Sequence, residues 1–94
     1  MKFYKVNTVL VRHGDDTSSV GFYRYIPMAK RMHKDSNAWE MDNDYVGILT
    51  GHILWYDEMT KEEADAMIAD LDSVESSESV YVPELRQYRR RSDL

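Results

Sequence analysis

Apolar and polar positions alternate through the first residues of the chain, as they do in a β-strand with one covered face. Over residues 2–12, alternate side chains such as Tyr4, Val6 and Leu10 would share one face of a sheet. Turn-forming residue types fill positions 13–19, and a second strand, rich in aromatic side chains, is predicted over residues 20–26. The two strands are expected to pair as an antiparallel hairpin.

The pattern changes after the second predicted strand, at Pro27. Proline is suited to the first turn of a helix, and Met28 and Met32 stand four residues apart, so they would share one helix face. A short helix is therefore predicted over residues 27–34. Residues 35–44 lack a clear period around Trp39 and are predicted to form a loop.

A mostly apolar stretch covers residues 45–56, with apolar side chains at both odd and even positions. Such a run is typical of a central strand covered on both faces. The alternative is a break into two short strands at Thr50 and Gly51, but threonine disfavours the positive φ of tight hairpin turns. One long strand, bulged at a glycine, is the favoured interpretation.

The strongest local pattern marks the start of the main helix. Thr60 and Glu63 match the T-x-x-E capping box, in which each side chain binds an unpaired backbone N–H of the first turn. Four apolar residues then recur at helical spacing: Ala64, Met67, Ile68 and Leu71. This pattern predicts an amphipathic helix over residues 60–72 that packs on the sheet. Asp70 and Asp72 oppose the helix dipole, so helix stability does not explain them.

The last part of the chain leaves two alternatives. Serine-rich residues 73–79 predict an exposed connection, and residues 80–82 a short edge strand. Pro83 is suited to open a terminal helix over residues 84–91, while the alternative is a frayed tail with residues 86–94 as a flexible basic extension. The chain as a whole is predicted to be one α+β domain spanning residues 1–94. It would contain a small, mainly antiparallel sheet of three to four strands, the main helix packed on it and short helices at 27–34 and 84–91.

The composition restricts the class of protein. Ninety-four residues suit one hydrophobic core, and 43% hydrophobic content is enough to order it, unlike a disordered acidic chain. Cysteine is absent, so disulfides and thiolate metal sites are excluded. The N-terminal residues lack a signal-peptide hydrophobic region, and no apolar run approaches the roughly 20 residues that span a bilayer. We therefore expect a cytoplasmic domain that does not cross membranes.

Charge is sorted into three blocks along the chain. Residues 1–35 carry a net charge of +4, residues 36–85 carry −12, and residues 86–94 carry +3, which together give the net charge of −5. Such sorting creates a directional electrostatic field, which acts on partners and association rates.

Candidate catalytic residues are few. His13 lies beside Asp15 and Asp16 in a predicted turn, where these residue types are common for conformational reasons alone. His52 lies in the apolar stretch, where a hydrogen-bonded structural histidine is the commoner case. Hydrolase motifs and phosphate-binding loops are missing, and the Asp-Asn-Asp run at 42–44 lacks the closing carboxylate of a calcium loop. We therefore expect neither catalytic residues nor a metal or cofactor.

The acidic middle of the chain is the favoured candidate for an interaction surface. Its members on the main helix and just before it are Asp57, Glu58, Glu62, Glu63, Asp65, Asp70 and Asp72. The ordinary alternative is a solvated helix face that keeps the protein dispersed. The functional hypothesis is a non-enzymatic accessory or inhibitory protein, of the kind that viruses also encode, whose carboxylates engage a protein partner with a basic surface.

Basic and aromatic residues support a second hypothesis, a small nucleic-acid-binding module. The cations concerned are Arg24, Lys30, Arg31, Lys34, Arg86, Arg89 and Arg90. Tyr23 and Tyr25 could stack on unpaired bases while arginine contacts phosphate. The net charge of −5 and the pI of about 5.1 argue against it. A third possibility is a homo-oligomer in which the basic end of one copy meets the acidic helix of another.

Overall fold

The computed structural model describes residues 1–14, 21–33, 35–73 and 78–94, and it confirms the α+β class. The predicted turn residues Asp15 and Asp16, the candidate cation Lys34 and residues 74–77 lie outside the described residues. The strands are β1 Lys2–Val6, β2 Val9–His13, β3 Phe22–Tyr25, β4 Trp39–Met41, β5 Asp57–Met59, β6 Ser79–Val82 and β7 Gln87–Arg90. The helices are α1 Gly47–Thr50 and α2 Lys61–Asp72, with 3₁₀ helices at Met28–Lys30, Asn43–Val46 and Arg91–Asp93.

Five strands form one antiparallel sheet in the order β4-β3-β2-β1-β5, and β6 pairs with β7 in a second sheet. The main sheet thus has one strand more than the three to four predicted. The predicted main helix is confirmed as α2, and its capping box is complete. The Thr60 side chain accepts from the Glu63 backbone N–H at 3.2 Å, and the Glu63 carboxylate accepts from the Thr60 N–H at 3.1 Å.

The single N-terminal strand predicted over residues 2–12 is a hairpin in the structure. β1 and β2 pair from Lys2 opposite His13 to Val6 opposite Val9, with Asn7 and Thr8 as the turn. Asn7 has a φ of 55°, a conformation that asparagine tolerates better than most side chains. The turn changes which residues share a face, so Tyr4 lies opposite Val11 and not beside Leu10.

The main sheet is covered on both faces. On one face, α2 contributes Ala64 to a buried cluster with Leu10 and Tyr25. On the other face, Ile48 of α1 completes a cluster with Tyr4, Val11 and Phe22. The two clusters lie on opposite sides because successive strand residues point to opposite faces.

The prediction of one long strand over residues 45–56 is wrong. Asn43–Val46 form a 3₁₀ helix, α1 follows, and extended pairing resumes only at β5. Asp42 caps the first turn by accepting from the Asp44 N–H at 3.2 Å, and Gly51 ends α1 with a φ of 83°. Short apolar runs do not distinguish a buried helical turn from a strand, which is why the pattern misled here.

Residues 27–34 form less helix than predicted. Of the described residues 27–33, only Met28–Lys30 are helical, as one 3₁₀ turn, because Arg31 adopts extended backbone and forms an isolated bridge with Tyr81. The loop predicted over residues 35–44 contains β4, in which Trp39 pairs with Tyr25 of β3.

Residues 84–91 form a turn, β7 and the start of a 3₁₀ helix in place of the terminal helix that was one of the two alternatives. Arg86 has a φ of 51° in this turn, and the Leu85 N–H donates to the Val82 carbonyl at 3.1 Å. Across the hairpin, the rings of Tyr81 and Tyr88 meet edge to face with centroids 5.3 Å apart. The Arg91 guanidinium donates to the Ala29 carbonyl at 3.1 Å, which fastens the end of the chain to the 3₁₀ turn after β3.

Candidate interaction surfaces

The acidic candidates begin on β5, at one edge of the main sheet. Asp57 lies opposite Lys5 of β1, and Glu58 lies opposite Tyr4. The Glu58 carboxylate is 3.6 Å from the Lys2 ammonium, and both side chains are more than half exposed. Such a pair is screened by solvent and leaves both groups accessible to a partner.

The remaining acidic candidates lie on α2, directly after β5. Asp65 is 3.8 Å from Lys61 in an exposed ion pair one turn apart, and Glu63 serves the capping box. Glu62 and Asp70 are exposed. At about 100° per residue, these positions spread over the whole solvent side of the helix and do not form one line.

Asp72 lies in a different environment from the other acidic candidates, because it is engaged inside the protein. Its carboxylate accepts from the Tyr25 hydroxyl at 2.6 Å and from the Met28 backbone N–H at 2.9 Å. The Tyr25 hydroxyl in turn accepts from Arg31 at 2.9 Å. Burial and the bond to Asp72 raise the pKa of Tyr25 to about 12. Asp72 thus tethers the end of α2 to the 3₁₀ turn, which explains an acid at a position that the helix dipole disfavours.

We call the six outward-facing carboxylates the acidic face: Asp57, Glu58, Glu62, Glu63, Asp65 and Asp70. They lie on β5 and α2 at one edge of the sheet, but Glu58, opposite Tyr4, points to the sheet face away from α2. The structure brings them together because Thr60 caps α2 immediately after β5, so strand and helix are adjacent.

An exposed apolar loop, residues 54–56, precedes the acidic face. The side chain of Leu54 is 75% exposed and that of Trp55 is 83% exposed. Tyr56 is 41% exposed and meets the ring of Tyr4 edge to face at 5.6 Å. The loop lines an open cleft of about 350 Å³ together with Lys5 and neighbouring residues. Sequence reasoning missed this surface because it assigned the apolar run to a buried strand.

The basic candidates converge on the β6–β7 hairpin, which we call the basic hairpin. The Arg24 guanidinium lies 4.6 Å from the ring centre of Tyr81 and 5.6 Å from that of Tyr88. The Lys30 ammonium lies 5.6 Å from the same Tyr88 ring. Cations from β3 and the 3₁₀ turn therefore meet the hairpin that carries Arg86, Arg89 and Arg90. Sequence patterns do not predict this proximity, since the residues in contact are more than fifty positions apart in the chain.

Three of the described members of the basic set form hydrogen bonds or ion pairs with other groups of the protein. Arg90 lies 3.3 Å from Asp93 in an exposed ion pair. Arg31 donates to the Ile26 carbonyl at 2.9 Å as well as to Tyr25. Arg24 lies 3.5 Å from Asp42, with its side chain 16% exposed. Burial alone would lower the pKa of Arg24, but the bond to Tyr81 and the nearby charges leave it raised. Arg24 therefore remains a cation, although it is largely enclosed.

A polar cavity of about 370 Å³ lies beside Arg24, between the main sheet and the turn of the basic hairpin. Its lining mixes cations with carboxylates, including Asp42, Asp44 and Arg86. The opposite charges compensate one another across the cavity, so it has no uniform charge to select one class of ion.

The histidines occupy unlike environments. His13 is 8% exposed, stacks on Phe22 with ring centres 4.2 Å apart, and has no hydrogen-bond partner at its Nε2 among the described residues. His52 is exposed, with its Nδ1 2.8 Å from the Thr50 hydroxyl. Within the described residues, no three His, Asp or Glu side chains are grouped as metal ligands would be.

Within the described part of the chain, no helix combines the length and apolar character required to cross a bilayer. Comparison of the sequence and the structure with known proteins yielded no match among protein-family models, curated proteins or solved structures.

Proposed function

We propose that this protein is a non-enzymatic interaction protein, of accessory or inhibitory type, whose acidic face engages a basic surface of a protein partner. The observation that carries the proposal is the gathering of exposed carboxylates on β5 and α2, two adjacent elements at one edge of the sheet. Lys2 and Lys61 form only exposed ion pairs with Glu58 and Asp65, and Lys5 lies opposite Asp57 on β1. Exposed pairs exchange readily for intermolecular ones.

The arrangement of charge in the whole molecule supports the same proposal. The acidic β5 lies at one edge of the five-stranded sheet, whereas the basic hairpin contacts β3 and the turn after it. Strands are about 4.8 Å apart, so β5 and β3, which are three strand spacings apart in the sheet order, are separated by roughly 14 Å. A field of this polarity orients an approaching basic partner toward β5 and α2 and increases its association rate.

Reversing three acidic residues to lysine tests the proposal. Glu62, Asp65 and Asp70 are exposed and carry no tertiary hydrogen bond to the sheet, so the triple variant should keep the fold, which circular dichroism would verify. Affinity capture from the native host with mass spectrometry should then lose the basic partners that the wild-type protein retains. Capture should also weaken with salt.

A matched control reverses Asp35, Asp44 and Glu84, which are exposed elsewhere. Each triple adds six charge units and changes the formal net charge from −5 to +1. Retention of partners by this control, together with their loss in the first variant, would locate binding on the acidic face. Equal capture by both triples would contradict the proposal.

A nucleic-acid-binding function is the second candidate, favoured by one observation. Arg24 and Lys30 each lie 5.6 Å from the ring centre of Tyr88 on the basic hairpin, which carries three further arginines. An aromatic ring among cations is the arrangement that stacks on an unpaired base while phosphate is neutralised.

Titration of labelled single-stranded RNA and DNA at low and moderate salt tests this candidate. Salt-sensitive binding that is lost in an Arg89→Glu, Arg90→Glu variant and kept in the acidic-face triple would favour it. Absence of binding at micromolar protein would remove it.

A further inference from the structure

The exposed apolar loop is the least expected surface in the described structure. Trp55 and Leu54 are the two most exposed large apolar side chains among the described residues, at 83% and 75%. Tryptophan is normally largely buried, and contiguous apolar patches of a few hundred Å² commonly mark interaction sites. The loop is also held in place, because Tyr56 packs on Tyr4 and the Ile53 N–H donates to the Gly47 carbonyl at 3.0 Å.

The neighbours of the loop define the chemistry of its occupant. Asp57 and Glu58 follow the loop directly, Glu62 lies in the first turn of α2, and Lys5 lines the cleft together with Asp57. A lipid surface with anionic headgroups, or a nucleic acid, would bring negative charge against these carboxylates. A protein segment that carries aliphatic side chains between lysines or arginines would instead satisfy both the apolar loop and the acids beside it.

The strand after the loop adds a third feature. β5 is the last strand of the sheet order, so its outer edge offers backbone groups that the sheet does not use. Extended peptides bind such edges by main-chain hydrogen bonds, and pockets for their side chains add specificity. The exposed apolar loop, the outer edge of β5 and the carboxylates of Asp57 and Glu58 therefore form one continuous segment, residues 54–59.

We propose that residues 54–59 form the anchor of the interaction surface, in which Leu54 and Trp55 receive the aliphatic side chains of an extended basic segment of a protein partner. This inference rests on the proposed function, because it assigns the partner of the acidic face a specific chemistry. The carboxylates select the basic partner and speed encounter, while burial of Trp55 supplies most of the affinity. Aromatic residues at the centre of an interface commonly have this role.

Three synthetic octapeptides are suitable probes. One alternates Lys with Leu, the second Lys with Ser, and the third Glu with Leu. In a Trp39→Phe variant Trp55 is the sole tryptophan, and the lysine–leucine peptide should shift its emission to the blue. Anisotropy of the labelled peptides should show the lysine–leucine peptide bound most tightly. Trp55→Ser should weaken that binding roughly tenfold or more, the loss typical of a buried aromatic anchor.

Leu85→Ser is the matched control, since Leu85 is 51% exposed in the turn of the basic hairpin. It should leave binding unchanged. One combination of results would overturn the anchor proposal and leave the proposed function standing. In it, both lysine peptides bind equally, Trp55→Ser has no effect, and the acidic-face triple variant abolishes binding. If neither lysine peptide binds, both proposals fail.

Three other occupants are outcomes that would overturn the anchor proposal. Anionic phospholipid vesicles or single-stranded RNA that shift Trp55 emission more than the lysine–leucine peptide would identify a different class of ligand. If the wild-type protein sediments as a dimer and the Trp55→Ser variant as a monomer, the occupant is a second copy of this chain.

Discussion

At the scale of single residues, Asp72 shows how burial changes the role of a side chain. Its place in an acidic helix suggests a surface charge, but the carboxylate binds the Tyr25 hydroxyl and the Met28 backbone. Removing an acceptor from such a pair costs about 1–3 kcal/mol when the donor remains buried. Asp72 therefore contributes to stability, whereas Glu62 and Asp70 are free to contact a partner.

We expect stability to fall in alkali through Tyr25. Burial and the bond to Asp72 raise the pKa of Tyr25 from 10.0 to about 12, so the folded protein keeps a proton that the unfolded chain releases. The resulting stabilisation is complete below pH 10 and is lost as the pH rises toward 12. Urea unfolding should show the wild-type protein losing more free energy over this interval than Tyr25→Phe.

If the free energies of unfolding of the wild-type protein and of Tyr25→Phe changed with pH in parallel, the assignment of the pH dependence to Tyr25 would be contradicted. An independent measurement is the ultraviolet titration of tyrosinate in Asp72→Asn. Loss of the neighbouring negative charge should bring the pKa of Tyr25 back toward 10.0.

We expect His13→Phe to maintain or increase stability. The imidazole is buried, stacks on Phe22 and leaves its Nε2 without a hydrogen bond, which carries a desolvation cost of about 1–3 kcal/mol. Phenylalanine keeps the stacking and removes the unsatisfied atom. Chemical denaturation of both proteins at neutral pH measures the difference. A loss above about 1 kcal/mol would indicate that the imidazole makes a stabilising contact.

At the scale of elements, α1 ends where Gly51 adopts a left-handed conformation. A Cβ there would meet nothing within 4 Å, so only the φ of 83° penalises a side chain. Gly51→Ala should destabilise the protein by about 1–2 kcal/mol, measured by urea unfolding.

Gly51→Asn is the matched control, because asparagine tolerates this conformation better. It should be the more stable of the two variants. Equal stability of Gly51→Ala and the wild-type protein would mean that the turn after α1 does not require a left-handed residue. The turn directs the chain from α1 into residues 54–56, so its geometry also determines where Trp55 is displayed.

At the scale of the whole molecule, the basic hairpin is part of the fold. β7 pairs with β6, Tyr88 contacts Arg24 and Tyr81, and Arg91 binds the Ala29 carbonyl. A chain that ends at Val82 should therefore unfold at lower urea concentration than the full chain. A chain lacking only residues 92–94 is the control and should be affected much less. An unchanged midpoint after the longer truncation would support the alternative of a flexible basic tail.

The sheet order separates β5 from the basic hairpin, although Lys2 and Lys5 of the N-terminal basic block lie beside β5. β5 lies at one edge, and the partners of the basic hairpin lie on β3 and the turn after it. The sequence predicted the blocks of charge and the acidic helix. It did not predict that Arg24 and Lys30 would meet Tyr88, since that contact depends on how the two sheets pack.

What the sequence by itself determined was local in origin. The start of α2 follows from Thr60 and Glu63, which bind each other's backbone within one turn, and its buried side follows from a 3.6-residue period. The α+β class follows because strand and helix patterns coexist in one short chain.

Where one pattern of apolar and polar residues is compatible with two backbone conformations, only the tertiary structure decided which one forms. The alternation of residues 2–12 continues through Asn7 as readily as it turns there, and pairing with β3 and β5 selects the hairpin. An apolar run fits a buried strand or a helical turn followed by an exposed loop, and the core takes Ile48 and the partly buried Tyr45, Val46 and Ile53 from it. Trp55 is exposed because the core is complete without it.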